Sequence, residues 1–365
     1  MLEKYGLNKL IFDGTPPTVV VGMSGGVDSS VSAYILKWQG YNVVGLFMKN
    51  WEEVGPNGVC PSEKDFADVK RVAETIGIPY YSVNFSKQYM DNVFKVFLDG
   101  LAKGVTPNPD VLCNREIKFG PFLKKALEIG GDFVATGHFC RVSEGKLLKG
   151  VDESKDQSYF LCGLSQKQLS KAMFPVGGLL KSQVREIAKA AGLVTAEKKD
   201  STGICFIGER KFCEFLKGYL GNQAGDIKTM DGKVIGRHEG LMYYTLGQRK
   251  GLGIGGTSET TDRWFVVRKD LENNILYVSN GECEEMFTKE VIAKDFNWIG
   301  CKLVWDWFDC TAKTRYRQPD QKGMAVLLDD GSVKVVLEKQ QRAVTPGQWL
   351  VLYDGDVCLG GGIIS

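Results

Sequence analysis

Hydrophobic and polar positions follow two different patterns along the 365 residues of the chain. From residue 18 to about residue 199, short β-branched runs alternate with segments whose apolar residues recur every three to four positions. The runs that predict buried strands are residues 18–22, 42–48, 80–83 and 133–136. The segments that predict helices are residues 31–38, 66–76, 93–101 and 119–129. This alternation predicts a parallel sheet that helices cover on both faces.

The last third of the chain has a different pattern. Pairs of short β-prone runs are separated there by turns that contain Asn-Asn or Asp-Gly sequences. These pairs are residues 264–268 with 275–278, 324–328 with 333–337, and 349–353 with 357–359. Hairpins of this kind predict a small antiparallel barrel or sandwich. A chain of this length is expected to form two or three domains.

Composition narrows the function classes only slightly. The formal net charge is +2, so any surface that binds nucleic acid is expected to be local rather than global. No apolar run has the length of a membrane span, and residues 1–18 do not resemble a signal or transit peptide. We therefore expect a cytoplasmic protein with no membrane partner. The 10 cysteines include no C-x-x-C pair, which argues against a zinc knuckle or a thioredoxin-like site.

A Ser- and Gly-rich loop, residues 24–30, lies between the first predicted strand and the first predicted helix. Gly25 and Gly26 let the backbone approach a phosphate, and the N–H groups that open the helix stabilise its charge. The carboxylate of Asp28 would suit a magnesium ion. The alternative is an ordinary strand-to-helix turn with Ser and Asp caps. The G-K-[ST] ending of a P-loop is missing. The sequence Ser-Gly-Gly-Val-Asp-Ser-Ser instead resembles the signature of PP-loop ATP pyrophosphatases, which adenylate a carbonyl oxygen.

Two cysteines lie in segments that suit sulfur chemistry. Asp110 precedes Cys113 by three residues, so a helix that begins after Pro109 would place both on one face. Asp110 would then move a proton for Cys113, and the cations of Arg115 and Lys118 would favour the thiolate.

Cys205 lies between Gly203 and Gly208, in a segment that could carry a group. One thiol can carry sulfane sulfur, and a second can release it as in disulfide exchange. Buried structural cysteines remain the alternative for both positions.

Nine segments, in order and along nearly the whole chain, resemble the bacterial tRNA-specific 2-thiouridylase (MnmA) family. They are residues 22–29, 46–51, 108–114, 135–138, 155–159, 203–206, 247–251, 315–316 and 345–348. The resemblance implies an α/β fold: a PP-loop (adenine nucleotide alpha hydrolase-like) parallel sheet domain, a small α+β central domain and a C-terminal antiparallel β-barrel. We place these at residues 1–200, 201–275 and 276–365.

The resemblance also implies site residues. Those implied for ATP are Gly22, Met23, Ser24, Gly25, Gly26, Val27, Asp28 and Ser29, with Met48 and Gly137 near the adenosine. Asn108, Pro109 and Asp110 would line the target base. Cys113 would be the nucleophile, and Cys205 would receive persulfide sulfur. The remaining positions implied to contact tRNA are His138, Lys155, Asp156, Gln157, Arg315, Tyr316 and Gln348.

Residue types alone support the tRNA positions unevenly. Lys313, Arg315 and Arg317 alternate in a run that predicts a strand, so their cations would share one face and track phosphates. A merely solvated strand face is the alternative. Residues 155–157 would otherwise be taken for a surface charge cluster, and His138 for a structural histidine.

The resemblance implies an ATP-dependent tRNA 2-thiouridylase. ATP and Mg²⁺ would adenylate the oxygen at carbon 2 of a wobble uridine in the anticodon region of tRNA. A donor protein would load persulfide sulfur on Cys205, and Cys113 would release it by forming a disulfide with Cys205.

Three alternatives stay open. In the first, the same thiolation uses an iron–sulfur cluster on Asp110, Cys113 and Cys205 to carry the sulfur. In the second, the chain is a PP-loop amide ligase. In the third, it is a tRNA-binding module without catalysis.

Overall fold

The computed structural model describes residues 2–52, 61–200, 212–254, 263–300 and 307–365. The strands are β1 (Thr18–Met23), β2 (Asn42–Lys49), β3 (Tyr80–Asn84), β4 (Phe133–Ala135), β5 (Cys140–Ser143), β6 (Lys146–Lys149), β7 (Ala172–Met173), β8 (Gly225–Thr229), β9 (Val234–His238), β10 (Trp264–Asp270), β11 (Ile275–Asn280), β12 (Phe287–Trp298), β13 (Trp307–Lys313), β14 (Gln321–Leu327), β15 (Val333–Arg342), β16 (Trp349–Asp354) and β17 (Val357–Ile364). The α-helices are α1 (Val27–Gln39), α2 (Pro61–Ile76), α3 (Ser86–Tyr89), α4 (Lys95–Ala102), α5 (Pro109–Cys113), α6 (Pro121–Glu128), α7 (Gln166–Leu169), α8 (Lys181–Ala190) and α9 (Phe212–Leu220).

The first part of the chain forms the predicted parallel sheet, with strand order β3-β2-β1-β4-β7. Val19 and Val21 of β1 pack into one core cluster with α1 and α8, while Val20 packs into another with α4 to α6. This alternation buries both faces of β1, which confirms the predicted two-faced sheet. The strand order reverses direction at β1, so the crevice at its carboxyl end is where such sheets bind ligands.

Two helical stretches of this part contain a π turn. Residues 90–94 form one between α3 and α4, and residues 114–118 form the other directly after Cys113. Such turns add one residue to the helical repeat and are frequent at functional sites. The second one rotates the residues after Cys113 away from the register of α5.

The central part is a four-stranded sheet with the order β10-β11-β8-β9. The pattern of β-prone runs groups the hairpin at residues 264–278 with the C-terminal hairpins, while the expected domain boundary at residue 275 divides it. The grouping with the C-terminal hairpins is wrong, because β11 pairs in parallel with β8, from Ile275 with Asp226 to Val278 with Thr229. This sheet therefore extends past residue 275.

The C-terminal part is the predicted antiparallel barrel. Six strands follow one another in the order β12-β15-β14-β13-β16-β17, and pairing between β12 and β17 closes the ring. The hairpin of β5 and β6 extends the sheet, since Val357 and Cys358 of β17 pair with β6. The first part and the barrel therefore share one hydrogen-bonded sheet. None of the helices in the described residues is long and apolar enough to span a membrane.

Candidate nucleotide and tRNA site

The loop after β1 is shaped by its own hydroxyl groups. Ser29 Oγ and Ser30 Oγ donate to the carbonyl of Gly26 at 3.2 and 2.7 Å, and Ser24 N donates to Ser29 Oγ at 3.2 Å. These bonds draw residues 24–26 over the first turn of α1, which begins at Val27. Ser24 stays exposed at the top of the loop. The backbone N–H groups there are placed to receive an anion.

Two glycines of the candidate ATP site lie in positions that no larger residue can occupy. Gly25 has a φ of +75°, and a Cβ on it would lie 2.6 Å from the Asp65 carbonyl oxygen. A Cβ on Gly137 would lie 2.7 Å from Ser29 N. The loop after β4 is therefore pressed against the start of α1, which places Gly137 next to Asp28 and Ser29. Met48, near the end of β2, is 8% exposed.

Asp28 is the first member of a chain of ion pairs that the sequence analysis missed. Lys181, the first residue of α8, places its Nζ 2.6 Å from Asp28 Oδ1 and 2.8 Å from Asp200 Oδ1. Asp200 also binds Lys155 Nζ at 2.7 Å and Arg185 at 2.9 Å. The chain of pairs connects the nucleotide loop to Lys155, a predicted tRNA contact.

The two carboxylates of this ion-pair chain have opposite pKa shifts. Burial raises the pKa of Asp28, and Lys181 only partly opposes that effect. Burial also acts to raise the pKa of Asp200, but hydrogen bonds from Lys155 and Lys181 outweigh it and hold the pKa at about 2. The difference follows from the number of cations at each carboxylate. Asp28 therefore gains most from a further cation.

A second lysine holds the loop from the other side. Lys198 Nζ donates to the carbonyl of Gly25 at 2.9 Å and to Asp65 and Asp68 at 2.8 and 2.6 Å. Burial acts to lower the pKa of Lys198, but its bonds to the two aspartates raise it overall. Lys181 and Lys198 are 153 and 173 residues away from their partners in the loop. No local pattern in the sequence could have assigned them.

The segment with Asp110 and Cys113 is helical, as predicted. Asn108 caps α5 by accepting from the backbone N–H groups of Asp110 and Val111 at 3.1 and 3.3 Å. Pro109 is the first helical residue. Asp110 and Cys113 are three positions apart on this helix, and Cys113 is fully buried.

The cations near Cys113 have partners of their own. Arg115 pairs with Glu116 at 2.7 Å and lies 5.8 Å from the centre of the Trp349 ring. Lys118 Nζ lies 3.5 Å from His138 Nε2. His138 itself is 8% exposed, and its Nδ1 lies 2.7 Å from Thr136 Oγ1. Burial lowers the pKa of His138 well below its usual range, and the charge of Lys118 lowers it further.

Residues 155–157 are not a surface charge cluster. Asp156 is 6% exposed and accepts from the backbone N–H groups of Gly150 and Ser158 at 3.1 and 3.0 Å. Gln157 Oε1 accepts from Phe139 N at 3.0 Å. Asp156 and Gln157 thus form internal hydrogen bonds, whatever they contribute to RNA binding.

The predicted strand with three aligned cations is wrong. β13 ends at Lys313, residues 314–317 form a turn, and Arg317 has a left-handed φ of 62°. Lys313 points inward to Asp156 and Asp320 at 3.5 and 3.4 Å. Arg315 and Arg317 remain exposed, while Tyr316 packs its ring 4.2 Å from that of Phe160.

The barrel docks on the loop that leads into α5. Gln348 Nε2 donates to the carbonyl of Thr106 at 2.7 Å, and Thr106 N donates to the carbonyl of Pro346 at 2.9 Å. Asn114 Nδ2 donates to the carbonyl of Phe160 at 3.1 Å. Positions that lie far apart in the sequence are therefore assembled around α5.

The second predicted cysteine, Cys205, lies outside the described residues. Within the described ranges, no three His, Cys, Asp or Glu side chains are grouped as a metal site.

A parallel sheet with a Ser-Gly-Gly loop at the switch point is the architecture of α/β proteins that bind ligands at the carboxyl ends of their strands. Comparisons with known proteins are more specific. The family model described as tRNA methyl transferase HUP domain matches residues 17–209, its PRC-barrel domain residues 213–280, and an aminomethyltransferase beta-barrel domain residues 288–364. Two relatives named tRNA-specific 2-thiouridylase MnmA, from Exiguobacterium sibiricum and Geobacillus thermodenitrificans, are 58% and 59% identical; each alignment covers 95% of this chain and 94% of the relative. The chain belongs to the tRNA-specific 2-thiouridylase (MnmA) family.

Solved structures are similar at lower levels. The U34-tRNA thiolase NcsA from Methanococcus maripaludis is 18% identical, with a TM-score of 0.39, over 60% of this chain and 72% of that one. A 4-thiouridine synthetase in complex with RNA and ATP is 15% identical, with a TM-score of 0.34, over 55% of this chain and 50% of that one.

Proposed function

We propose that this protein is a tRNA-uridine 2-sulfurtransferase that uses ATP to activate carbon 2 of a uridine in tRNA and then replaces its oxygen with sulfur. Family membership over 95% of the chain supports the activity. The observation that carries the ATP-dependent step is the loop at residues 24–26, whose glycine backbone is held against α1, Gly137 and Lys198. The same membership favours thiolation over the amide-ligase and binding-module alternatives.

ATP is proposed to bind with its phosphates at the N–H groups of residues 24–29. The N-terminus of α1 adds the positive end of its dipole. Magnesium fits the donor set, because Asp28 offers one carboxylate and nucleotide phosphates supply the other oxygens in sites of this kind. The ion would offset phosphate charge. We propose that Lys181, which pairs with Asp28 in the free chain, contacts a phosphate oxygen when the ion binds to Asp28.

The activating step forms a bond between the uridine O2 and the α-phosphorus, and pyrophosphate leaves. The backbone donors of the loop stabilise the charge that develops on the phosphate. The uridine has to leave its base stack to reach the loop. We propose that Asn108, Pro109 and Asp110 line its pocket, since α5 presents Asp110 three residues before Cys113.

Sulfur transfer is proposed to use two thiols. A donor protein loads Cys205 with a persulfide, and the Cys113 thiolate attacks the Cys205 sulfur, which forms a disulfide and releases sulfide. Sulfide then adds to carbon 2, and AMP leaves with the original oxygen. Alternatively, the persulfide attacks carbon 2 directly, and Cys113 completes the release. An external thiol reduces the disulfide in either route.

Proposed tRNA contacts lie on three parts of the chain: residues 137–157, the turn at 314–317 and the barrel loop at 345–348. Tyr316 contacts Phe160 with its ring, Arg315 is the residue before it, and Gln348 lies beside Thr106. We propose that these parts form one surface for the anticodon region. A tRNA substrate would place the activity in the cytoplasm. We propose domain boundaries near residue 200 and after β11, which replaces the expected boundary at residue 275 because β11 pairs with β8 of the central sheet.

The iron–sulfur route would hold a cluster on Asp110, Cys113 and Cys205, of which Cys205 lies outside the described residues. The described residues supply one thiol and one carboxylate on α5, whereas thiolates usually fill cluster sites. No step is therefore assigned to a cluster. Iron and labile sulfide analysis of anaerobically purified protein would show stoichiometric cluster if that route operates.

The experiment that tests the proposal is mass spectrometry of tRNA nucleosides after incubation with ATP, magnesium, sulfide and enzyme. We expect 2-thiouridine, together with AMP and pyrophosphate in equal amounts. Omission of ATP should leave uridine unchanged. Thiolation without ATP, or AMP release with no thiolated nucleoside, would contradict the proposal.

A further inference from the structure

Two buried side chains at the carboxyl end of β2 lack the hydrogen bonds that buried polar groups normally make. Asn50 is 1% exposed and Trp51 is 7% exposed. Among the described residues, the Asn50 amide has no hydrogen-bond partner for its nitrogen or its oxygen, and the indole Nε1 of Trp51 has none either. Buried amides without partners are rare in folded proteins. Something absent from the free chain is therefore expected to complete this site.

The neighbouring strand end shows that the protein can satisfy an asparagine there. Asn84, the last residue of β3, donates to Glu52 at 2.6 Å and accepts from Ser86 N at 2.9 Å. Asn50 occupies the corresponding end of β2, next to the nucleotide loop, because β2 pairs in parallel with β1 up to Phe47 opposite Met23. Only the asparagine nearer to the loop lacks partners.

The chemistry of this site fits a nucleobase better than a phosphate. An asparagine amide offers a donor and an acceptor in one plane, the pairing that recognises the amino group and adjacent ring nitrogen of adenine. The N–H groups of the loop and the cation of Lys181 are already available to bind the phosphates. Trp51 packs on Phe94 at 5.0 Å and on Tyr89 at 6.2 Å, which fixes the backbone beside Asn50.

We propose that Asn50 recognises the adenine of ATP and sets the nucleotide specificity of the enzyme; the inference rests on the ATP-dependent function proposed above. The base lies at the end of β2 while the phosphates occupy the loop after β1. Because Asn50 is covered in the free chain, the base reaches it when the neighbouring side chains move apart. The proposed uridine pocket on α5 is distinct from this proposed adenine site at the end of β2.

The test compares Asn50→Ala with Asn42→Ala in nucleotide binding without tRNA. Asn42 lies at the other end of β2, is exposed, and donates to the Pro16 carbonyl at 2.8 Å. We expect the dissociation constant for ATP to rise roughly 10- to 100-fold in Asn50→Ala, as for the loss of a bidentate base contact. Asn42→Ala should bind ATP like the unmodified protein.

An ATP analogue that lacks the 6-amino group sharpens the test. Purine riboside triphosphate should bind the unmodified protein more weakly than ATP, and should bind Asn50→Ala as well as ATP does. Thermal unfolding without nucleotide should show no loss of stability in Asn50→Ala, because the substitution removes an unpaired buried amide. A folding defect would thereby be recognised.

Each outcome decides between the proposals. If the unmodified protein binds no ATP, both the function and the role of Asn50 fail. If it binds ATP, but Asn50→Ala binds ATP equally or still discriminates the 6-amino group, the role of Asn50 alone is overturned. A change confined to the KM for tRNA would also overturn it and would assign Asn50 to the uridine.

Discussion

The nucleotide loop and the expected tRNA contacts are held by different kinds of interaction. In the loop, Ser24 is exposed, and the distant side chain of Lys198 supports the backbone of the buried Gly25. Among the expected tRNA contacts, Asp156, Gln157 and Gln348 form hydrogen bonds inside the protein. A side chain that joins two parts of the fold affects RNA binding and stability together, whereas a loop of backbone donors can change its affinity alone.

This difference is testable because each region contains residues of both types. Substitutions that act on chemistry alone should leave the fold intact. Substitutions in the supporting contacts should change the free energy of unfolding. The predictions below run from the largest expected effect to the smallest.

Cys113→Ser should separate catalysis from binding most clearly. With a persulfide donor in place of free sulfide, we expect the rate of tRNA thiolation to fall by at least about 1000-fold, as for removal of a nucleophile. ATP affinity should not change, because Cys113 is the last residue of α5, lies in the core and is not part of the loop. Cys283→Ser, at a half-buried position in the link between β11 and β12, is the control. Thiolation at the normal rate by Cys113→Ser with the same persulfide donor would contradict the two-thiol scheme.

Gly137→Ala should damage the loop without touching any functional side chain. The added Cβ meets Ser29 N at 2.7 Å and pushes the start of α1 away from the β4 loop. A displacement of this size is expected to reduce adenylation about 100-fold. Gly178→Ala, where a Cβ meets nothing within 4 Å, should be neutral. Pyrophosphate release measures both variants, and equal rates would show that the contact is adaptable.

Lys181→Gln should lower the free energy of unfolding by about 2 kcal/mol, because it leaves Asp28 and Asp200 without their shared cation. The matched control is Lys189→Gln on the same helix, whose pair with Glu197 is exposed on both sides and is expected to add little to stability. Denaturant unfolding gives both values. Similar losses for the two lysines would mean that the ion-pair chain adds nothing beyond a surface pair.

His138 should make stability depend on pH. Its folded pKa lies well below 6.5, so the unfolded chain takes up a proton first and stability falls as pH drops below 6.5. The free energy of unfolding should therefore decrease as the pH is lowered from 7.5 to 5.5. His138→Gln should remove this component while the other histidine, His238, remains. An unchanged pH profile in that variant would show that the pKa of His138 does not differ between the folded and unfolded chain.

The sequence predicted the nucleotide loop because its determinants are local. Strand, glycines and helix start follow one another within residues 18–30, and Gly25 needs its left-handed φ whatever surrounds it. The supporting lysines could not be found in that way, since only the fold brings Lys181 to Asp28. The prediction of a strand with aligned cations at residues 313–317 was wrong for a related reason. The strand ends at Lys313, and the turn that follows breaks the alternation of side chains that a strand would have kept. The hairpin at 264–278 was correctly predicted as β structure but assigned to the wrong sheet, because β pairing is not encoded locally.

The pairing of β6 with β17 has a consequence for synthesis on the ribosome. β6 ends at Lys149 and its partner begins at Val357, so the hairpin of β5 and β6 exposes an open strand edge while the intervening residues are translated. At usual elongation rates that interval lasts roughly 10 to 40 seconds. β6 has the sequence Lys-Leu-Leu-Lys, with a cation on each side of its two leucines. Charges at such positions discourage pairing with other nascent chains until the native partner strand arrives.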